Sequence, residues 1–216
     1  MAAAERAGNP LLVAAGAFRL GFVFMSARHY EQAEEAARTA AEALWHLADE
    51  STPEAMSLWG ALTLQRAIIA ARTGQADTAY AHLERAREMA GRLGGGRNDY
   101  NTEFGPANVE LFEIAVAVEL GDAGRALRAA GTADTAGLSA ERRARMLIDV
   151  ARAHAQRRQV AEAVTALRQA EQITPELLRG HYLVRQLVSD LLTMQDPPGS
   201  ELLELSVRLG ITKIRD

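Results

Sequence analysis

Four segments of the chain repeat one plan: a helix, a tight polar turn, and a second helix with an alanine a few residues from its start. The aligned alanines are Ala33, Ala79, Ala126 and Ala163. Their successive positions differ by 46, 47 and 37 residues, which is within the range of about 20 to 50 residues that is typical of helical repeat proteins. Small residues let two antiparallel helices approach closely. The repeat therefore predicts an all-α fold, a right-handed α-solenoid of about five antiparallel helix pairs.

Helix start signals recur along the chain. A side-chain acceptor followed by proline at the first helical position occurs at Asn9-Pro10, Thr52-Pro53 and Thr174-Pro175. Ser139 and Gly105-Pro106 predict two further starts, with glycine as the weaker cap.

Amphipathic segments at 30–48, 76–93, 123–130 and 159–173 predict the second helices of the pairs. No segment shows the alternation of a β-strand, so we predict about ten helices. We assign residues 1–9 to a disordered tail, residues 10–194 to a helical repeat domain, and residues 195–216 to a C-terminal linker and capping helix.

The repeats resemble the tetratricopeptide repeat. Leu20-Gly21 followed by Phe24 matches the Leu-Gly-x-x-Tyr phrase of that family. Other residues match its small, large and terminal positions: Ala67, Leu83, Ala86, Ala151, Leu167, Ala170 and Pro175. The resemblance covers most of the chain and implies tetratricopeptide-like pairs that stack around a concave surface.

Composition and charge exclude several classes of site. A net charge of −4 gives no overall attraction to nucleic acid or to an anionic membrane, and the absence of cysteine excludes disulfides and thiolate ligands. The N-terminus lacks the order of an export signal, which predicts a cytoplasmic protein. The apolar run at 11–25 is shorter than the roughly 20 residues of a membrane span and contains Arg19, so it predicts a buried helix and no membrane contact.

The sequence carries no recognisable catalytic or metal-binding motif. The glycines of 91–99 follow a predicted helix, whereas a phosphate-binding loop follows a strand. The five histidines are isolated from one another: His29, His46, His82, His154 and His181. We therefore predict no catalytic residue, no metal site and no cofactor.

In a right-handed stack the first helix of each pair lines the concave side, so its stripe of i, i+3, i+4 and i+7 residues predicts a groove. With the polar loop before residue 106, this projection selects as ligand-binding residues Phe22, Leu64, Gln65, Ile68, Arg72, Tyr100, Phe104, Asn108, Phe112, Arg145, Asp149 and Arg152. An apolar end and an arginine-rich end favour an amphipathic small molecule or a peptide with an acidic terminus. The alternative is that the stripe is core and that the rings of Tyr100 and Phe104 pack on the adjoining repeat.

Two stretches are similar to the C-terminal repeat region of actinobacterial helix-turn-helix transcriptional regulators of the Xre type: NDYNTEFGPANVELFEIAVAVELGDAGRAL and LSAERRARMLIDVARAHAQRRQVAEAV. The resemblance implies a DNA-binding domain before the repeats, and repeats that sense a ligand or partner and mediate dimerisation. Residues 1–9 cannot hold such a domain, so we expect this chain to be the regulatory half, with no direct contact to nucleic acid.

These observations predict a non-catalytic sensor or interaction domain of a transcriptional regulator, which binds a small molecule or a peptide. We also expect a homodimer, because a first helix that is apolar on every face needs a covering surface. A second subunit or a missing domain would supply that surface. The alternative function is a protein scaffold that holds the peptide tail of a partner and takes no small-molecule ligand.

Overall fold

The structure is a computed structural model that describes residues 8–49, 52–95 and 97–211. Within these residues the chain forms eleven α-helices, one short 3₁₀ turn at Asp99–Asn101 and no β-strand, which confirms the all-α prediction. The helices are α1 (Pro10–Ser26), α2 (Tyr30–Leu44), α3 (Pro53–Arg72), α4 (Ala76–Leu93), α5 (Pro106–Glu119), α6 (Ala123–Thr132), α7 (Ala140–Gln156), α8 (Val160–Ile173), α9 (Pro175–Gly180), α10 (Tyr182–Met194) and α11 (Ser200–Arg208). Of the predicted tail, only Gly8 and Asn9 belong to the described residues.

The predicted helix starts are confirmed, but not every predicted cap is. Asn9 Oδ1 accepts hydrogen bonds from the backbone N–H groups of Leu11 and Leu12 at 3.0 and 3.4 Å, and Ser139 Oγ accepts from that of Arg142 at 3.3 Å. The threonines before Pro53 and Pro175 make no such cap within the described residues. At those two starts, the fixed φ of proline is the surviving signal.

The four turns between paired helices share one backbone geometry. The residue five positions before each aligned alanine has a left-handed φ, and these residues are Arg28 (60°), Gly74 (75°), Gly121 (78°) and Arg158 (57°). In three of the turns the next N–H donates to the carbonyl five residues back, at 2.8 to 2.9 Å. This is the bond of a Schellman helix end, which satisfies carbonyls that have no partner within the helix. The four turns therefore share a left-handed residue at the position that the alignment of the alanines makes equivalent.

The aligned alanines occupy equivalent and buried places. Each is the fourth residue of its helix, and the exposed fractions of Ala33, Ala79, Ala126 and Ala163 are 0, 0, 1 and 0%. A larger side chain at such a position would push the paired helices apart. For Ala33, Ala79 and Ala163, the sequence prediction of close helix contacts is confirmed, because the α1–α2, α3–α4 and α7–α8 pairs pack closely.

The first of two compact units, residues 1–120, contains α1 to α5. Its centre is α3, of whose 20 residues 15 are buried, and which packs against α1, α2, α4 and α5. A helix that is apolar on every face requires such a surrounding. The α1–α2 and α3–α4 hairpins are therefore joined through one shared helix.

The second compact unit, residues 121–216, contains α6 to α11. The α7–α8 pair is extended by α9, α10 and α11, and the core includes Leu167, Leu178 and Leu192. A helix lies within the predicted C-terminal segment, at Ser200–Arg208. The predicted repeat domain of residues 10–194 spans both units, each of which has its own hydrophobic core.

Candidate functional site

The predicted ligand stripes of α1, α3 and α5 do meet in the first unit. Gln65 of α3 donates from Nε2 to the backbone carbonyl of Phe18 on α1 at 3.0 Å. Arg72 of α3 lies 3.3 Å from a carboxylate oxygen of Glu119 on α5. Residues of the three predicted stripes therefore contact one another within the first unit.

Most residues of these stripes are packed between helices rather than open to a ligand. Leu64 and Gln65 are completely buried, Ile68 is 7% exposed and Asn108 is 2% exposed. The neighbouring helices already fill the space that a ligand of α3 would need. The ring of Phe22 keeps more exposure, 36%, and meets that of Phe18 edge to face at 5.0 Å, and Phe112 packs partly buried against the core.

Close packing around Gln65 explains a glycine in the repeat motif. A Cβ at Gly21 would overlap the side-chain amide of Gln65, so only glycine lets this amide reach the α1 backbone. Within the described residues, Gln65 Oε1 and Asn108 Oδ1 are buried without a hydrogen-bond partner. Buried polar atoms of this kind cost about 1 to 3 kcal/mol each.

The remaining predicted ligand residues lie in the second unit. Arg145 pairs with Glu141 at 2.8 Å, and Arg152 pairs with Asp149 at 2.9 Å. Both pairs are internal to α7, where residues three or four positions apart are neighbours. Their role in ligand binding stays a prediction.

The loop between α4 and α5 is docked onto the first unit. Arg19 of α1 donates from Nη2 to the carbonyls of Tyr100 and Asn101 at 3.0 and 3.1 Å. The ring of Phe104 is 1% exposed and lies directly over Gly60, where a Cβ would overlap it. Of the two alternatives drawn from the sequence, packing on the adjoining helices describes the Phe104 ring.

An open groove of about 560 Å³ runs between α1 and α2. Its floor is built from small apolar side chains, and its α2 edge carries polar ones. The lining residues are Val13, Ala17, Glu31, Gln32, Glu35, Ala36, Thr39, Ala40 and Ala43. None of them belongs to the predicted ligand set.

The groove exists because two positions of α2 are alanines. Ala36 and Ala43 lie three and ten residues after Ala33. In the α3–α4 hairpin the corresponding positions are His82 and Met89, whose side chains are 5 and 3% exposed. The equivalent helix face therefore carries two large buried side chains in one hairpin and alanines beside an open groove in the other.

The acidic residues of α2 are not equivalent. Glu34 pairs with Arg66 of α3 at 2.7 Å, outside the groove. Glu35 pairs with Arg38 at 2.8 Å, and this hydrogen bond and charge hold the pKa of Glu35 below its usual value. Glu31, at the groove edge, has no ion pair within the described part of the chain. The groove therefore offers negative charge along its α2 side.

The buried environment of His82 shifts the pKa of its ring. Burial, helped by the positive charges of Arg66 and Arg85, lowers its pKa from the ordinary 6.5 to about 4. The ring is thus neutral near pH 7. Since its Nδ1 is buried without a hydrogen-bond partner within the described residues, we assign this ring to packing.

The described residues contain no group of three or more histidine, aspartate or glutamate side chains placed to hold a metal ion. Among the described helices, none combines the length and the apolar character that a membrane crossing requires. Comparison with known proteins finds no family model that matches the chain and no matching curated protein.

Sequence reasoning missed the groove although a signal was present. Ala36, Ala40 and Ala43 follow the i, i+4, i+7 spacing of one helix face. Alanine alone does not distinguish a face that packs against a neighbour from one left open. The difference becomes visible only beside His82 and Met89 in the equivalent helix.

Proposed function

We propose that this chain is a non-catalytic interaction domain built from tetratricopeptide-like hairpins in a right-handed α-solenoid, and that its α1–α2 groove binds an α-helix of a partner. One observation carries this proposal. At the two equivalent positions the α3–α4 hairpin has the buried side chains of His82 and Met89, whereas the α1–α2 hairpin has alanines that line an open groove. Side chains of similar size, supplied by another helix, would complete the packing.

The shape of the groove favours a helix over a small molecule. Its α2 wall runs from Glu31 to Ala43, which corresponds to roughly 18 Å of helix or about three turns. The polar lining residues are on the exposed edge, and the floor is apolar. Small-molecule sites usually enclose their ligand around a few converging polar groups, whereas an open apolar channel suits the helix-in-groove mode.

The proposal that this interaction domain belongs to a transcriptional regulator rests on the resemblance of its sequence to Xre-type regulators. In that setting the domain would couple a bound partner to a DNA-binding domain through packing of its first hairpin. Leu12, Phe22 and Val23 of α1 are exposed by 42, 36 and 62%, which also supports a covering surface on this helix and keeps the proposed homodimer open to test.

A library of helical peptides tests the proposal. Each peptide carries leucines at i, i+4 and i+7, with randomised flanking residues, and binding is selected on the full chain. We expect groove-dependent binders, whose affinity falls at least about tenfold when Ala36→Met and Ala43→Met fill the groove. Ala81→Met is the matched control, because Ala81 is an exposed alanine of the equivalent helix outside the groove.

Two results would contradict the proposal. One is a library without any binder. The other is a set of binders whose affinity is the same for the groove-filled variant and for the Ala81→Met control. A circular dichroism spectrum and melting temperature close to those of the unmodified chain establish that the filled variant is folded.

A further inference from the structure

The two walls of the α1–α2 groove differ in charge. The α1 wall contributes Val13 and Ala17, which are apolar, whereas the α2 wall contributes Glu31 and Glu35. Among the residues that the structure describes, no lysine or arginine lines the groove. A helix that lies in it therefore meets an uncharged wall on one side and carboxylates on the other.

The polar residues at the exposed edge of the α2 wall form a single row, and two of them are carboxylates. Glu31, Glu35 and Thr39 are spaced by four residues, so they follow one edge of α2, while Ala36, Ala40 and Ala43 lie toward the floor. Both carboxylates are in the first two turns of α2, so the negative charge is concentrated at one end of the groove. The affinity for a partner helix should therefore depend on the position of its charges as well as on their number.

We propose that the partner helix is amphipathic, with an apolar face toward the alanine floor and lysine or arginine at i and i+4 along one edge, facing Glu31 and Glu35. This inference rests on the proposed function, since it names the occupant of the same groove. The basic edge lies over the α2 wall, and the opposite edge, toward Val13 and Ala17, is uncharged.

Glu31 contributes more to this selectivity than Glu35. Arg38 already engages Glu35 at 2.8 Å, so a basic partner residue there shares the carboxylate. Glu31 has no ion pair within the described residues and is exposed. Exposed ion pairs are individually weak, so we expect the two together to change affinity by about two- to tenfold at low salt.

Three peptides with one apolar face test the inference by fluorescence anisotropy. They carry lysine, glutamine or glutamate at the i and i+4 edge positions. We expect the lysine peptide to bind about two- to tenfold more tightly than the glutamine peptide, and the glutamate peptide to bind most weakly. The preference should shrink in high salt, because exposed charges are screened.

Variants on α2 separate the groove carboxylates from general charge. Glu31→Gln should remove most of the lysine preference, and Glu31→Gln with Glu35→Gln should remove it entirely. Glu42→Gln is the matched control, because Glu42 is an exposed acid on the same helix that also pairs with Arg38 and lies outside the groove. It should leave the preference unchanged.

Equal, groove-dependent affinity for the three peptides overturns the charge inference and leaves the helix-binding function standing. Absence of any groove-dependent binder overturns both. If sedimentation shows that the chain forms a dimer that Ala36→Met and Ala43→Met dissociate, the occupant is a second copy, and the basic partner is wrong.

Discussion

The α1–α2 and α3–α4 hairpins have the same turn and the same aligned alanine, yet they stand at opposite extremes of burial. The α3–α4 hairpin is surrounded: α3 is buried on nearly every side, and His82 and Met89 of α4 are buried as well. The α1–α2 hairpin keeps an open groove over Ala36 and Ala43, with exposed apolar residues on α1.

The difference teaches that hairpin geometry and groove filling are set by different residues. The turn residue and the aligned alanine fix how two helices are joined and how closely they approach. Two other positions on the second helix decide whether the resulting space is closed by the hairpin itself. The filling of the space beside the second helix can thus differ between two hairpins that share one turn geometry.

The largest expected effect compares two aromatic rings, one that packs on the α3–α4 hairpin and one that belongs to the α1–α2 hairpin. Phe104→Ala should lower the free energy of unfolding by about 3 to 5 kcal/mol, because its buried ring packs over Gly60 of α3. Phe22→Ala, in the first hairpin, is the control and should cost clearly less, since that ring is 36% exposed. Urea unfolding measures both, and equal losses would contradict the assigned packing of the loop.

The second effect is a pH dependence that His82 gives to the α3–α4 hairpin. The pKa of His82 is about 4 in the folded chain and 6.5 ordinarily, so protonation favours the unfolded chain. The contribution of neutral His82 to the free energy of unfolding is complete above the ordinary pKa of 6.5. It is lost as the pH falls toward the pKa of about 4 in the folded chain. It amounts to about 3 kcal/mol between pH 7 and pH 4.

The variant His82→Gln isolates this contribution, because it removes the titrating group and keeps a polar side chain. The difference in unfolding free energy between the unmodified chain and the variant should move against the unmodified chain as the pH falls. A difference that stays constant from neutral to acidic pH would show that His82 titrates normally.

The third effect comes from exchanging the residue types at two equivalent positions, Met89 in α4 and Ala43 in α2. Met89→Ala should cost about 2 kcal/mol, the lower end for deletion of a buried methionine, because the groove that it opens is accessible to water. Ala43→Met in the first hairpin should change stability by less than about 1 kcal/mol, since Ala43 is exposed. Thermal unfolding of both variants decides the matter, and a large loss in Ala43→Met would mean that its site is not open.

The smallest effect concerns the shared turn. Gly74→Ala should cost about 1 kcal/mol, because its φ of 75° is unfavourable for a residue with a Cβ. Arg28, at the equivalent place, has a φ of 60°, so Arg28→Gly should stabilise the chain by up to about 1 kcal/mol. Opposite signs are the expected result of calorimetry, and the same sign would mean that the two turns are not equivalent.

Much of the local structure could be predicted from the sequence. Proline at the first helical position located four helix starts, at Pro10, Pro53, Pro106 and Pro175. The end of α2 was placed too late, at residue 48 instead of Leu44, because its amphipathic pattern continues through the turn that follows the helix. Local signals define starts more sharply than ends, since capping chemistry is concentrated at the first turn.

The candidate site was harder to predict for a physical reason. A stripe of apolar residues at helical spacing shows that one face avoids water, and it does not show what covers that face. Leu64 and Phe112 were assigned to a ligand groove from the same pattern that, in the folded chain, packs them against neighbouring helices. The groove beside α2 was missed because its floor consists of alanines, which do not differ from alanines at a packed helix contact.

The sequence by itself determined the all-helical architecture, the places of the turns and the buried alanines, because these follow from bonds and contacts between residues close along the chain. Tertiary structure decided which helix faces are covered. Gln65 meets Phe18, and Phe104 meets Gly60, across separations of more than forty residues. Ala36 lines an open groove, because its methyl side chain leaves the space between α1 and α2 unfilled.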